Sequence, residues 1–187
     1  MSTLSITKTK ARLSMKVQTL YAIGAVVAAV AVPQLFHMVG ALSGAGTVPG
    51  ATFLPMHLPI ILVGILAGPW AGAIAGLLGP VASYALSGMP GIVVLPFMMI
   101  ELFGYGLSAG LLRQVKVPSV AKVLISQVSG RLLRFVAVLA AVYLLGNTKV
   151  DALSIWTAAK VGLPGIIIQL TFLPLIAYRL EGKNDNQ

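Results

Sequence analysis

The chain has no cysteine. Disulfides, thiolate metal sites and cysteine nucleophiles are therefore excluded. Charge is scarce: 9% of residues are Asp, Glu, Lys or Arg, against about a quarter in a typical soluble domain. Only four residues are acidic. They form no intramembrane carboxylate pair, and Glu101 alone is a thin basis for a proton-coupled pump. The two histidines, His37 and His57, lack carboxylate neighbours, so no metal site is expected. No Gly-rich loop ends in Lys-Ser or Lys-Thr, which rules out ATP hydrolysis by that route. H-E-x-x-H and G-x-S-x-G are absent as well. No catalytic residue and no cofactor emerge.

What remains is apolar: 58% of 187 residues. Six apolar stretches cover about 17–39, 53–67, 70–86, 92–112, 120–145 and 155–180. Six spans of about 20 residues each use most of the length, which predicts one all-α, six-helix membrane domain over 1–187. The positive charges are sorted. Lys8, Lys10, Arg12 and Lys16 precede the first stretch, Arg113, Lys116 and Lys122 surround the gap between the fourth and fifth, and Arg179 and Lys183 follow the sixth. The opposite loops carry Lys149, joined by Lys160 if the last span starts late. Cytoplasmic loops retain Lys and Arg, so both termini are expected inside, in the cytoplasmic membrane. The net charge of +9 then signals orientation in a bilayer and not a nucleic-acid partner. A cleaved leader ending at Ala29-Val30-Ala31 fits less well: the apolar run continues to Val39, and cleavage would leave five spans. The loop 40–51, uncharged and rich in Gly, Ser and Thr, is expected outside and mobile. The termini, about 1–14 and 181–187, are expected to fray.

Small residues recur every four positions. Gly64, Gly68, Gly72 and Gly76 do so across the second and third spans, Gly106 and Gly110 in the fourth, and Ala25 and Ala29 in the first. That spacing places each set on one helix face, where another backbone can approach closely. Internal packing is the expectation for the glycines. The alanines, in the cytoplasmic half of the first span, could instead receive a partner. Glu101, Arg131 and Arg134 lie near the middle of their spans, where ionisable groups are functional-site candidates. Opposite span directions bring Glu101 and Arg131 to comparable depth, so an ion pair between them is expected. That would leave Arg134 and Lys160 as surplus positive charge suited to an anionic ligand. His57 sits in Pro55-Met56-His57-Leu58-Pro59, where the prolines disturb a helix start and free backbone carbonyls. It is a candidate ligand contact, with His37 a weaker one. Phe53, Tyr84, Tyr143 and Trp156 read as interfacial belt residues.

Several of these runs resemble a known family. Pro55-Met56-His57-Leu58-Pro59, Val63-Gly64-Ile65-Leu66-Ala67-Gly68-Pro69 and Ala71-Gly72-Ala73-Ile74-Ala75-Gly76-Leu77-Leu78-Gly79-Pro80 are similar to the second and third helices of substrate-binding S components of energy-coupling factor (ECF) vitamin transporters. Ser87-Gly88-Met89-Pro90, Glu101-Leu102-Phe103-Gly104-Tyr105-Gly106-Leu107 and Ser129-Gly130-Arg131 continue the likeness. The resemblance implies an S-component-like bundle that captures a vitamin-like small molecule at the outer face. It also implies a transmembrane coupling protein and two ATPase subunits as partners, with inward delivery by toppling in the bilayer. It carries a docking role onto Ala25 and Ala29. It carries a ligand site onto Glu101, Tyr105, Arg131, Arg134 and Lys160, beside His57, with 40–51 as a lid. Surplus cations would suit pantothenate, and a large Gly/Ala-lined site would suit cobalamin. A self-contained carrier or channel, or a small membrane enzyme, are the alternatives.

Overall fold

The prolines and glycines that punctuate the apolar runs divide six expected spans into eight helices among the described residues. A computed structural model describes residues 13–151 and 153–184. Helix α1 spans Met15–Leu42, α2 Val48–Phe53, α3 His57–Ala67, α4 Pro69–Ser87, α5 Leu95–Leu111, α6 Ser119–Leu139, α7 Ser154–Val161 and α8 Leu163–Asn184. Five segments are long and apolar enough to cross a membrane, and α7 with α8 makes a sixth when that bent pair is taken as one span. The architecture is the expected all-α membrane bundle. Of the termini expected to fray, residues 1–12 and 185–187 lie outside the described ones. Ser14 caps α1, accepting from the Val17 amide, and 181–184 continue α8.

Helix α3 is the axis. It touches α1, α4, α5, α6 and α8, and Ile60, Ile61 and Ile65 are buried on different sides of it. An 11-residue helix that is apolar all round belongs inside a bundle. The remaining helices pack around it except along the part-exposed Leu62 and Leu66 face, and they turn apolar side chains outward, among them Leu20, Val27, Leu86, Leu132 and Leu144, as a hydrocarbon environment requires.

The glycine faces hold the centre together, as their spacing suggests. A methyl group on Gly72 would fall within 3.0 Å of the Gly106 backbone, and one on Gly106 would meet the Gly72 backbone in turn. Gly76 lies as close to the Leu102 carbonyl, Gly64 to the Gly106 carbonyl, and Gly110 to Pro69. With apolar lipid as the competing solvent, such backbone approach is what makes helix association favourable.

One loop and two spans depart from the expected outline. The loop expected over 40–51 shrinks to 43–47, because Gly44 and Gly46 take positive φ and Pro49 starts α2 in its first turn. The second span is broken: Leu54 adopts a left-handed conformation with φ 50°, and α2 ends there. The freed Leu54 carbonyl accepts from Gln169 Nε2 of α8 at 3.1 Å, and Gln169 Oε1 accepts from Gln127 Nε2 of α6 at 2.9 Å. The sixth span bends by 55° at Gly162, where α7 closes and Pro164 follows in the first turn of α8. The tight fit of Gly165 against the backbone of Thr52 and Phe53 seats this bend on α2.

Contacts at the end of the bundle where α1 begins include Gln18 near Gly68, Pro69 near Gly110, and Arg113 Nε donating to the Leu66 carbonyl at 3.0 Å. Lys122 Nζ donates to the Arg113 carbonyl at 3.1 Å at the same end. The opposite end is built from α2, the 88–94 connection and α7.

Candidate functional site

At that opposite end a cavity of about 310 Å³ opens between helices. Its wall draws Pro33 and His37 from α1, Gly50 and Ala51 from α2, His57 from α3 and Ser83 from α4. Met98 of α5, Arg134 of α6 and Val161 of α7 also line it. Each element arrives by a local rule already described. The Leu54 break turns the start of α3 inward, the short 43–47 turn folds α2 over the cavity, and the Gly162 bend brings α7 against it.

One carboxylate organises the polar side of this region. Glu101 of α5 is 1% exposed, so its charge has to be met from within the protein. Arg134 Nη1 donates to Glu101 Oε2 at 2.7 Å, and the Tyr105 hydroxyl, one turn along α5, donates to Oε1 at 2.6 Å. His57 Nε2 lies 3.9 Å from the same Oε1, and the His57 and Tyr105 rings are 5.2 Å apart at 49°. The result is a buried cluster of one acid, one guanidinium, one phenol and one imidazole. Its Arg134 and His57 members also line the cavity, while Glu101 and Tyr105 stand behind them.

The expected Glu101–Arg131 pair is replaced by Glu101–Arg134. Helix phase explains this. Gly130 packs directly on the Tyr105 ring and the Glu101 carbonyl, which fixes the face of α6 that meets α5. Four residues on, Arg134 is rotated only about 40° from that face, whereas Arg131 is about 100° away. Arg131 is half-buried, and its Nε has no hydrogen-bond partner among the described residues. It does not line the cavity. Lys160 is exposed on α7 and is likewise outside the lining, because α7 turns Ala158 and Val161 to the cavity and Lys160 sits about 100° around the helix from Val161. Arg134, read from sequence as surplus charge, is therefore a paired charge.

Some cavity residues were not singled out from sequence. Met56, Met89 and Met98 bring three thioethers to the wall, soft and adaptable groups that fit irregular ligand shapes. Gln127 and Gln169 fix the Leu54 break. Their signal was available, since primary amides inside apolar spans need partners.

Ala25 and Ala29 are both buried, at 7% and 0%, and Ala29 faces Gly79 of α4. Only Ala25 reaches a second hollow, an apolar groove of about 480 Å³ on the outside of α1 and α3. Gly24 and Ala28 join Ala25 on its α1 side, and α3 contributes Pro59, Leu62, Val63 and Leu66. A methyl group on Gly24 would meet nothing within 4 Å.

One family model, described as ECF transporter, substrate-specific component, matches residues 16–177. No curated protein and no solved structure matches the chain.

Proposed function

Since the chain belongs to the substrate-specific components of ECF transporters, multi-pass membrane subunits that bind a small-molecule substrate and are not enzymes, we propose that its cavity captures a micronutrient of pantothenate size. The observation that carries this reading is the cavity itself, walled by apolar side chains and backed by the Glu101–Arg134–Tyr105 cluster. A few fixed polar groups in a largely apolar hollow are the ordinary composition of a small-molecule site. About 310 Å³ amounts to on the order of ten water volumes. That suits pantothenate or a vitamin precursor better than a ligand as large as cobalamin.

In this reading both termini are cytoplasmic and the cavity faces outward. The sorting of Lys16, Arg113, Lys116, Lys122 and Arg179 away from the cavity end supports it, since positive loops stay inside. A transmembrane coupling protein and two ATPases energise release, and the subunit topples to present its ligand inward. The groove along Gly24, Ala25 and Ala28 is the docking face: small side chains let a partner helix approach closely without a polar commitment. Ala29 serves internal packing behind it.

Binding by the purified chain in detergent tests the capture reading. Calorimetry against water-soluble vitamins and their precursors is expected to give one saturable ligand, and liposomes holding this chain alone are expected to show no ATP-driven uptake. Uptake by the chain alone, coupled to an ion gradient, would make it a self-contained carrier. Replacing Gly24 or Ala28 by leucine is expected to abolish transport by the assembled complex while the isolated variant binds ligand as before. Loss of binding in these variants would remove the groove from the docking role.

A further inference from the structure

We propose that Gly165 and Gln169 of α8 are positioning residues for ligand capture. They clamp the break at Leu54, which fixes where α2 lies against the cavity, and so set its affinity without touching the ligand. The proposal rests on the capture reading above and names residues that serve that same site.

The break needs a cause beyond its own sequence. Leu54 precedes Pro55, and a residue before proline is pushed toward extended backbone. Leu54 instead has φ 50° and ψ 49°, a left-handed conformation that a bulky side chain holds only where its surroundings impose it. Extended backbone at this point would swing α2 away from α8. The Leu54 amide donates to the Gly50 carbonyl and the His57 amide to the Leu54 carbonyl, both at 3.1 Å. These local bonds turn the chain but do not tie it to the rest of the bundle.

Helix α8 supplies the tie. Gly165 and Gln169, four residues apart, share one helix face. A methyl group on Gly165 would lie 2.7 Å from the Phe53 carbonyl, so the missing side chain is what lets the α2 backbone reach α8. Gln169, 1% exposed, donates to the Leu54 carbonyl at 3.1 Å. Its Oε1 accepts from Gln127 Nε2 at 2.9 Å, which orients the amide so that Nε2 is the atom aimed at Leu54. Just before α8, Gly162 receives the Leu54 side chain: a methyl group there would lie 2.8 Å from Leu54 Cδ1. The broken second span and the bent sixth span thus cross at their breaks. Apolar side chains could fill the space of the two amides, but only a directed donor satisfies a carbonyl freed inside a bundle surrounded by lipid.

Both arms of this crossing reach the cavity wall. Helix α2 gives it Gly50 and Ala51, the break gives it Leu54 and Met56, and α7 gives it Ala158 and Val161. Gly165, Gln169 and Gln127 are not part of the wall. A slip at the crossing would therefore move several parts of the wall at once. A wall already held in shape spares the ligand the cost of ordering it.

Gln169→Leu removes the donor at similar size, and Gly165→Ala presses α2 off α8. Ile65→Ala is the comparison, because Ile65 is buried, lies toward the other end of α3 and lines neither hollow. Purified proteins in detergent are compared well below each unfolding midpoint. Hydrogen exchange across 51–57 needs no ligand. It is expected to speed up by at least about tenfold in Gln169→Leu and Gly165→Ala and to stay near the natural rate in Ile65→Ala. Calorimetry with pantothenate, nicotinate, biotin and thiamine then finds the probe that the natural chain binds. Affinity for that probe is expected to fall by at least about tenfold in Gln169→Leu and Gly165→Ala, and by no more than about threefold in Ile65→Ala. Natural exchange rates across 51–57 in both α8 variants would overturn the proposal, as would affinity losses no larger than that of Ile65→Ala. If Gln169→Leu does not fold, Gly165→Ala decides the matter alone. Failure of all four probes to bind the natural chain overturns the capture of a pantothenate-sized ligand and this proposal with it, whereas unmoved α8 variants of a chain that binds overturn this proposal alone.

Discussion

Gly106→Leu is expected to yield no monodisperse folded protein in detergent, and Gly106→Ala to lower stability by about 3 kcal/mol or more. Overpacking a tight core costs about 1–3 kcal/mol when neighbouring side chains can shift. Here the first obstacle is the backbone of Gly72, which cannot rotate aside. Gly72→Ala meets the Gly106 backbone from the other side and is expected to cost as much. Relief would require α4 and α5 to separate, and Gly64 and Gly76 pack against the same stretch of α5, so the disturbance spreads to α3. Gly24→Ala is the contrast, because a methyl group there meets nothing within 4 Å. It is expected to be neutral or to stabilise by up to about 1 kcal/mol through helix propensity. Size-exclusion profiles and thermal unfolding of the four variants measure this. A natural-looking profile for Gly106→Leu would mean that the α4–α5 seam is not close-packed.

Arg134→Ala is expected to be the most damaging polar substitution. It leaves the Glu101 carboxylate buried, with the Tyr105 hydroxyl as its one remaining hydrogen-bond donor among the described residues and His57 Nε2 farther off at 3.9 Å. Removing one partner of a buried ion pair costs about 3–5 kcal/mol, which for a chain of this size lowers the unfolding midpoint by on the order of 10 °C. Arg134→Gln combined with Glu101→Gln removes both charges and is expected to cost less than the sum of the single changes, by about 0.5–3 kcal/mol. Arg131→Ala removes no ion pair and is expected to be milder. Thermal unfolding of Arg134→Ala, Arg131→Ala, Arg134→Gln, Glu101→Gln and the double variant checks the ranking. Equal losses for Arg131→Ala and Arg134→Ala would contradict the pairing of Glu101 with Arg134.

The contrast between these two arginines shows where the sequence was legible. Depth along a span is a one-dimensional property, and it put Glu101, Arg131 and Arg134 near the middle of their spans without saying which arginine meets the carboxylate. Choosing between Arg131 and Arg134 needs the rotation of α6 about its axis, which the seat of Gly130 on Tyr105 decides. The same distinction governs the small residues of α1. Gly24/Ala28 and Ala25/Ala29 share a spacing of four, and only the contact of Ala29 with Gly79 says which pair turns inward. The number and order of apolar stretches were readable because burial in lipid is a bulk property of composition. The breaks at Leu54 and Gly162 were less so. The prolines announced a disturbance near His57, but the amide chain from Gln127 through Gln169 to the Leu54 carbonyl joins residues far apart in sequence.

Helices α1 and α3 each run from the cavity to the groove: Pro33 and His57 line one, Gly24 and Leu62 the other. Two occupants would therefore share the same pair of rods. If a ligand tilts or steadies these rods, it changes the free energy of seating a partner helix on them, and thermodynamic linkage makes that effect mutual. Whatever factor a bound ligand lends to complex formation, complex formation must lend to ligand retention. A subunit that releases its cargo once docked therefore has to obey the reverse rule as well. Cargo held in the cavity must weaken the docked arrangement by the same factor, so that an emptied subunit is the one that grips its partner most firmly in the releasing state.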